Sequence, residues 1–285
     1  MRTPNIIEEQ QSRVQHRRSV RLASLAADAG RWVALSLTSY SDNSGGNKVN
    51  SDQKLADYNN PSVQDIAERL TSDAITVREK LNRLFHYVRD DIKFAFPQEG
   101  DLVKASTTIR LGNGQCNTKS TLFLALCKAA EIPARIHFSL IKKEIQRGLF
   151  TGLGYKLMPP LLSHSWIEVD VNGKWRRIDS YINDEIFYQA AKSELQERSW
   201  DTGYSVSCPS GECSCEFNLD QEAFVQMGAV VVDHGIWDDP SDYYATDQYQ
   251  NRLNIMKSIF YRLMIWRVNG RVESMRRRYI RKDGL

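Results

Sequence analysis

The chain has 285 residues, of which 41% are hydrophobic and 26% charged, and its formal net charge is +3. These are globular proportions with length for a sizeable core, in one domain with extensions or in two small ones. The charge is too small to point to nucleic acid by itself, no apolar run approaches the ~20 residues that cross a bilayer, and no secretory h-region follows Met1, so the expected location is the cytoplasm. Five cysteines, an odd number without framework spacing, suit a reducing compartment better than a disulfide scaffold.

Residues 1–52 read as an N-terminal extension. Arg17, Arg18, Arg21 and Arg31 accompany an Ala/Leu-rich segment compatible with a short helix, Glu8 and Glu9 argue against a transit peptide, and residues 41–52 read as a flexible linker. The core is placed at 53–200. Asn60-Pro61 suits the cap and first position of a helix through Leu70, and Thr76-Val77-Arg78-Glu79 is a capping box for the next. In that second helix Val77, Leu81, Leu84, Phe85 and Val88 fall at core-facing spacing.

Leu111-Gly112-Asn113-Gly114-Gln115-Cys116 then leads into an apolar stretch, Leu122 to Ala130, that reads as a helix. Unpaired amides and partial positive charge at a helix N-terminus favour a thiolate there. A lone buried cysteine is more often a small hydrophobe than a nucleophile, so the weight falls on its partners downstream. Cys127 lies on the same predicted helix ~16 Å along the axis, too far to bridge to Cys116, and reads as core packing. Arg135 to Ile141 reads as a strand, and Gln146 to Pro160 as a long loop expected beside the active cleft.

His164 in Ser163-His164-Ser165-Trp166 and Asp179 in Trp175-Arg176-Arg177-Ile178-Asp179 open and close an antiparallel strand pair around Val171-Asn172-Gly173-Lys174. Asn-Gly is the strongest short hairpin signal. A cysteine nucleophile, a histidine that takes or shares its proton and an aspartate that fixes the imidazole tautomer follow the logic of acyl transfer. The amide of Cys116 is the natural oxyanion donor, with Gly114 and Gln115 supporting its loop.

Gly114-Gln115-Cys116, Glu131-Ile132-Pro133-Ala134-Arg135, His164-Ser165-Trp166-Ile167-Glu168-Val169 and Trp175-Arg176-Arg177-Ile178-Asp179 together resemble the core of the transglutaminase-like superfamily, a papain-like fold. The likeness runs from about Asp57 to Tyr188 and includes the lead-in Val88-Arg89-Asp90-Asp91-Ile92-Lys93-Phe94. It implies an α+β core with the nucleophile helix packed on an antiparallel sheet, flanked here by helical N- and C-terminal extensions. Asn117 stands where the animal crosslinking enzymes carry Trp, the chain is too short for their flanking β-domains, and no acidic loop resembles a calcium site. It is more similar to compact microbial members.

Residues 201–285 read as a C-terminal extension. Cys208, Cys213 and Cys215 lack paired C-x2-C spacing, so a loop with free thiols is favoured over a zinc site completed by His234, with a redox-sensitive loop between the two. Around Trp237 to Tyr244, aromatic and acidic density is read first as packing, and otherwise as a substrate wall. Candidate pocket residues are Asn117, Trp166, Trp237 and Tyr243. From Arg252 to Lys282 there are ten basic residues and one acidic, Glu273. Leu253, Met256, Ile259, Phe260, Leu263 and Trp266 recur at helical spacing, an amphipathic stripe expected to pack on the domain, with an anionic surface as the competing partner. Arg276-Arg277-Arg278 is expected to be solvated.

The expected enzyme forms a Cys116 thioester from an amide or peptide bond of a peptide, protein or small-molecule substrate, without a cofactor and without a specific nucleic-acid partner. Water as acceptor makes it a peptidase or amidase, favoured because an amine acceptor needs a pocket that excludes water. An amine makes it a transglutaminase or amide-forming acyltransferase. A binding module that has lost catalysis is the third reading.

Overall fold

The computed structural model describes residues 54–209 and 211–284; the expectations for residues 1–52 lie outside them. Helix α1 (Pro61–Thr71) begins as anticipated, Asn60 accepting from the Ser62 amide with Pro61 at the first position. In α2 (Val77–His86), Thr76 accepts from the Glu79 amide, and Glu79 reaches back to the Ile75 amide, one residue beyond a standard capping box. Leu81, Leu84, Phe85 and Val88 are buried, but Val77 is exposed, because it stands in the first turn before the helix enters the core.

A π turn (Tyr87–Asp91) re-aims the chain into β1 (Lys93–Phe94), which pairs in parallel with β2 (Asn113–Gly114) across α3 (Ala105–Leu111). Gly112 ends α3 in the left-handed region, φ 62°, satisfying the last carbonyls. The next helix, α4 (Cys116–Ala129), is buried on every face from Cys116 to Cys127, so its run of apolar and small residues shows no polar side. Leu122, Phe123, Leu124 and Leu126 are fully buried there, each contributing about 1.5–3 kcal/mol. Helices α1, α2 and α3 pack against α4, and so does the main sheet.

That sheet has the order β5-β4-β3-β8, all antiparallel, from β3 (Ala134–Lys142), β4 (Leu161–Val171), β5 (Lys174–Ile178) and β8 (Val230–Trp237). Asn172 (φ 55°) and Gly173 (φ 79°) turn the β4–β5 hairpin, the double positive φ that favours Asn-Gly. Between β3 and β4, where a long loop was expected, sits the one-turn helix α5 (Gly152–Lys156). Residues beyond 200 also join this architecture. Short strands β6 (Thr202–Gly203) and β7 (Val206–Ser207) pair together, β8 extends the main sheet, and α7 (Pro240–Tyr244) buries Tyr243 and Tyr244, with Tyr243 stacked on Phe138.

The last helix, α8 (Ile255–Asp283), lies against α6 (Glu185–Glu197). Its buried side chains are Ile265, Val268, Val272 and Met275, whereas Met256, Ile259, Phe260, Leu263 and Trp266 are exposed. The stripe expected to pack on the domain therefore faces outward, except for Leu253, which is half-buried beside Gly100. A helix with two apolar sectors leaves the choice to its neighbours, and α6 selects the second one. Arg276 is likewise not solvated. Its guanidinium is buried on Asp184, the N-cap of α6, with Nε–Oδ1 at 3.0 Å, and Nη2 also reaches the Phe94 carbonyl.

Candidate active site

Gln115 caps α4, its side-chain Oε1 accepting from the Asn117 amide, while the Thr118 hydroxyl accepts from the Gln115 amide. Gly114 leaves no space for a Cβ, which would stand 2.6 Å from the Thr118 hydroxyl. Cys116 is thereby the first residue of α4. Its thiol donates to Gln115 Oε1 at 2.8 Å. Burial raises the thiol well above its ordinary pKa, the Asp101 charge adds to this, and the amides of Asn117 and Ser165 oppose it.

Asp101 was not singled out in the sequence, yet it organises this end of α4. It is buried and accepts from Gln115 Nε2, Asn117 Nδ2 (2.9 Å), Tyr249 Oη (3.0 Å) and Asn251 Nδ2 (2.8 Å). Burial raises its pKa, and these donors pull against that. Its partners lie up to 150 residues away in sequence. No local pattern marks such a contact.

The strand carrying His164 is next to Cys116. Asn117 Nδ2 donates to the Ser163 carbonyl, and Ser165 Oγ donates to Asn117 Oδ1. Strand alternation turns Ser163, Ser165 and Ile167 one way and His164, Trp166 and Glu168 the other. His164 pairs across the ladder with Ser139 and stands 6.1 Å from the Trp166 ring, which stacks on His137. His164 is fully buried and neither ring nitrogen has a hydrogen-bond partner, so burial lowers its pKa to about 3. It is a neutral imidazole.

Asp179 follows β5 directly. Its carboxylate accepts from the amides of Val225 (2.6 Å), Gln226 (2.7 Å) and Met227 (3.0 Å). Burial raises its pKa to about 6 against those amides. The hydrogen-bonded relay expected from the sequence is therefore not formed in this structure. The three residues sit on neighbouring elements, but the thiol is bonded to Gln115, the carboxylate is occupied by a backbone loop, and the imidazole is bare.

The other expected pocket residues are engaged in packing. Asn117, Trp166 and Tyr243 are buried, and half-buried Trp237 donates to the His234 carbonyl. Tyr243 Oη lies 3.1 Å from Ser163 Oγ and 3.0 Å from His234 Nδ1. The Cys208–Cys215 loop also differs from expectation. Cys208 and Cys213 form a disulfide with Cα atoms 5.1 Å apart, not free thiols, and Cys215 is a buried thiol whose carbonyl accepts from Arg89. Among the described residues no group of three or more His, Cys, Asp or Glu side chains is arranged to hold a metal ion, and His234 turns to Tyr243. Cys127 is buried in the core, as anticipated.

Residues 64–180 match the sequence profile of the transglutaminase-like superfamily, and the matched span includes Cys116, His164 and Asp179. Over those residues, fewer than half of its length, the chain is similar to a transglutaminase-like core. No curated protein matches the chain. Among solved structures, the chain is similar to a candidate cysteine protease from Cytophaga hutchinsonii, at 16% identity and a TM-score of 0.40, covering 67% of this chain and 46% of that one. It is also similar to a candidate protease from Parabacteroides distasonis, at 16% identity and a TM-score of 0.34, covering 45% of this chain and 25% of that one. The chain thus spans less than half the length of either. Among the described residues no helix is long and apolar enough to cross a membrane.

Proposed function

We propose that this protein is a cysteine-nucleophile acyl-transfer enzyme that cleaves an amide or peptide bond through a Cys116 thioester and passes the acyl group to water. The observation that carries the proposal is the seat of Cys116. It is the first residue of a buried helix, with the amides of Asn117 and Ser165 against its sulfur. Those amides favour the thiolate against burial and the Asp101 charge, which keep the resting thiol protonated.

The structure is a resting state in this reading, with neutral thiol and neutral imidazole. Attack requires Gln115 Oε1 to release the thiol, whose proton passes to His164. Both ring nitrogens are bare, so no existing hydrogen bond has to break, but burial lowers the imidazole pKa to about 3, and the transfer therefore requires substrate to bring polar partners to the ring. The sulfur–carbon bond forms as the carbonyl becomes an oxyanion, for which the first-turn amides of α4 are the donors. The carbon–nitrogen bond then breaks, and His164 returns the proton to the departing amine. Water attacks the thioester, giving up a proton to His164, and the acid leaves as the Cys116 thiol is restored. Asp179 holds the Val225–Met227 backbone through three amides.

Intact-protein mass spectrometry with a panel of peptide amides and acyl thioesters tests this, comparing wild type with Cys116→Ala and with an amine added or withheld. A Cys116-dependent acyl adduct discharged by water supports hydrolysis. An adduct that persists until an amine arrives makes the protein an acyltransferase, and no adduct with any donor removes the enzymatic reading.

A further inference from the structure

Helix α8 carries a second apolar face that the fold leaves outside. Met256 (77% exposed), Ile259, Phe260, Leu263 (63%) and Trp266 (77%) form it, and at 100° per residue they fall within a sector of about 120°. The packed residues Ile265, Val268, Val272 and Met275 occupy roughly the opposite sector. The outward face is therefore additional to the docking face, which the Arg276–Asp184 pair and the contact with α6 already secure. Helix α5 extends it. Leu153 and Leu157 are 64% and 66% exposed, and a Cβ on Gly154 would meet Met264 of α8, so the two helices abut.

The charges carried by α5 and by α8 up to Arg271 have one sign, while Glu144 near Tyr155 and Glu99 near Tyr261 come from neighbouring segments. Lys257 and Arg262 border the apolar sector on either side, at about 100° and about 240° from Met256. Arg267 stands at its C-terminal end, and Lys156 is exposed on α5. None of these four makes an ion pair among the described residues. The sequence has no acidic residue between Asp247 and Glu273. Trp266 and Arg267 also line an open groove of about 510 Å³ with Asn269, Gly270, Arg271 and Ser274, where basic and hydroxyl groups meet an indole.

We propose that the outward face of α8, with α5 beside it, is a docking surface for an anionic phospholipid bilayer. The apolar sector enters the acyl boundary, Trp266 sits at headgroup depth, and Lys257, Arg262 and Arg267 engage lipid phosphates. A second copy of the chain fits the charge pattern poorly. Two such faces brought together oppose cation to cation, with no acidic partner on the helix before Glu273. A bilayer of anionic lipid supplies that partner along the whole face.

The full chain is tested by co-sedimentation with vesicles of phosphatidylcholine alone and of phosphatidylcholine mixed with phosphatidylserine. The expected result is pelleting with the mixed vesicles that weakens as salt rises. Lys257→Gln with Arg262→Gln should reduce the partition coefficient about thirtyfold, at ~1 kcal/mol for each cation near an anionic surface. Leu263→Ser with Trp266→Ser should abolish binding. Both side chains are exposed, and an unchanged circular dichroism spectrum and melting curve confirm that those variants fold. Three results overturn the proposal: no pelleting of wild type with anionic vesicles, equal pelleting with neutral ones, or self-association in sedimentation velocity that Leu263→Ser with Trp266→Ser removes without any vesicle binding.

Discussion

Replacing His164 by Leu is expected to stabilise the protein in acid while ending its chemistry. The imidazole is fully buried with both nitrogens bare, and its pKa falls from an ordinary 6.5 to about 3. A histidine depressed in the folded state costs nothing above its unfolded pKa. As pH falls through 6.5 the unfolded chain takes up a proton that the folded one refuses, so stability declines from there towards 3. The loss from this group is on the order of 2 kcal/mol at about pH 5 and negligible at about pH 7.5.

Asp179 works in the opposite sense. Its pKa is raised from 3.8 to about 6, so its share of stability is full below 3.8 and is lost as pH rises through 6. The two groups therefore offset each other in wild type across the window where both titrate. Removing His164 exposes its own contribution as a difference between variant and wild type, in which Asp179 cancels. Leu is close to His in volume and brings no polar atom needing a partner. Urea denaturation of both proteins across this pH range is the assay. The gain should grow by about 1.4 kcal/mol per pH unit below 6.5. The variant should also form no Cys116 acyl adduct. A gain that is flat with pH, or a variant destabilised in acid, would refute the account of a bare, buried imidazole.

Asp101→Asn should lower stability by ~2 kcal/mol in denaturation, because a single carboxamide oxygen cannot serve donors on both sides. It should also speed iodoacetamide labelling of Cys116 at fixed pH, since the Asp101 charge opposes the thiolate; an unchanged rate in the folded variant counts against that coupling. Asp179→Ala strands three amides at a cost of roughly 3 kcal/mol, and hydrogen exchange at Val225, Gln226 and Met227 should accelerate more than exchange in α4. Arg276→Ala leaves Asp184 buried without its partner and should cost about 3–5 kcal/mol, whereas exposed Arg277→Ala should stay within about 0.5 kcal/mol. Equal melting temperatures for those two variants would contradict the buried pair.

What the chain determines by itself is local. Asn60-Pro61 and Thr76 start their helices because a side chain two or three residues away supplies the acceptor that the first amides lack, and Asn172-Gly173 turns its hairpin because those residues tolerate positive φ. The Gly114-Gln115-Cys116 entry, the His164 strand and the Asp179 strand end could likewise be located, since each is set by residues within one element, and together they carried the likeness to the superfamily. Only the tertiary structure decided which side chains meet. Asp101 gathers donors from as far as Asn251, Asp179 turns to Val225–Met227 in place of His164, and Arg276 closes on Asp184 across 92 residues. The outward choice for Leu263 and Trp266 belongs to the same class. Periodicity shows that a helix has an apolar face, but the surface that covers it, and the buried donor that a carboxylate must satisfy, come from chain segments far away in sequence.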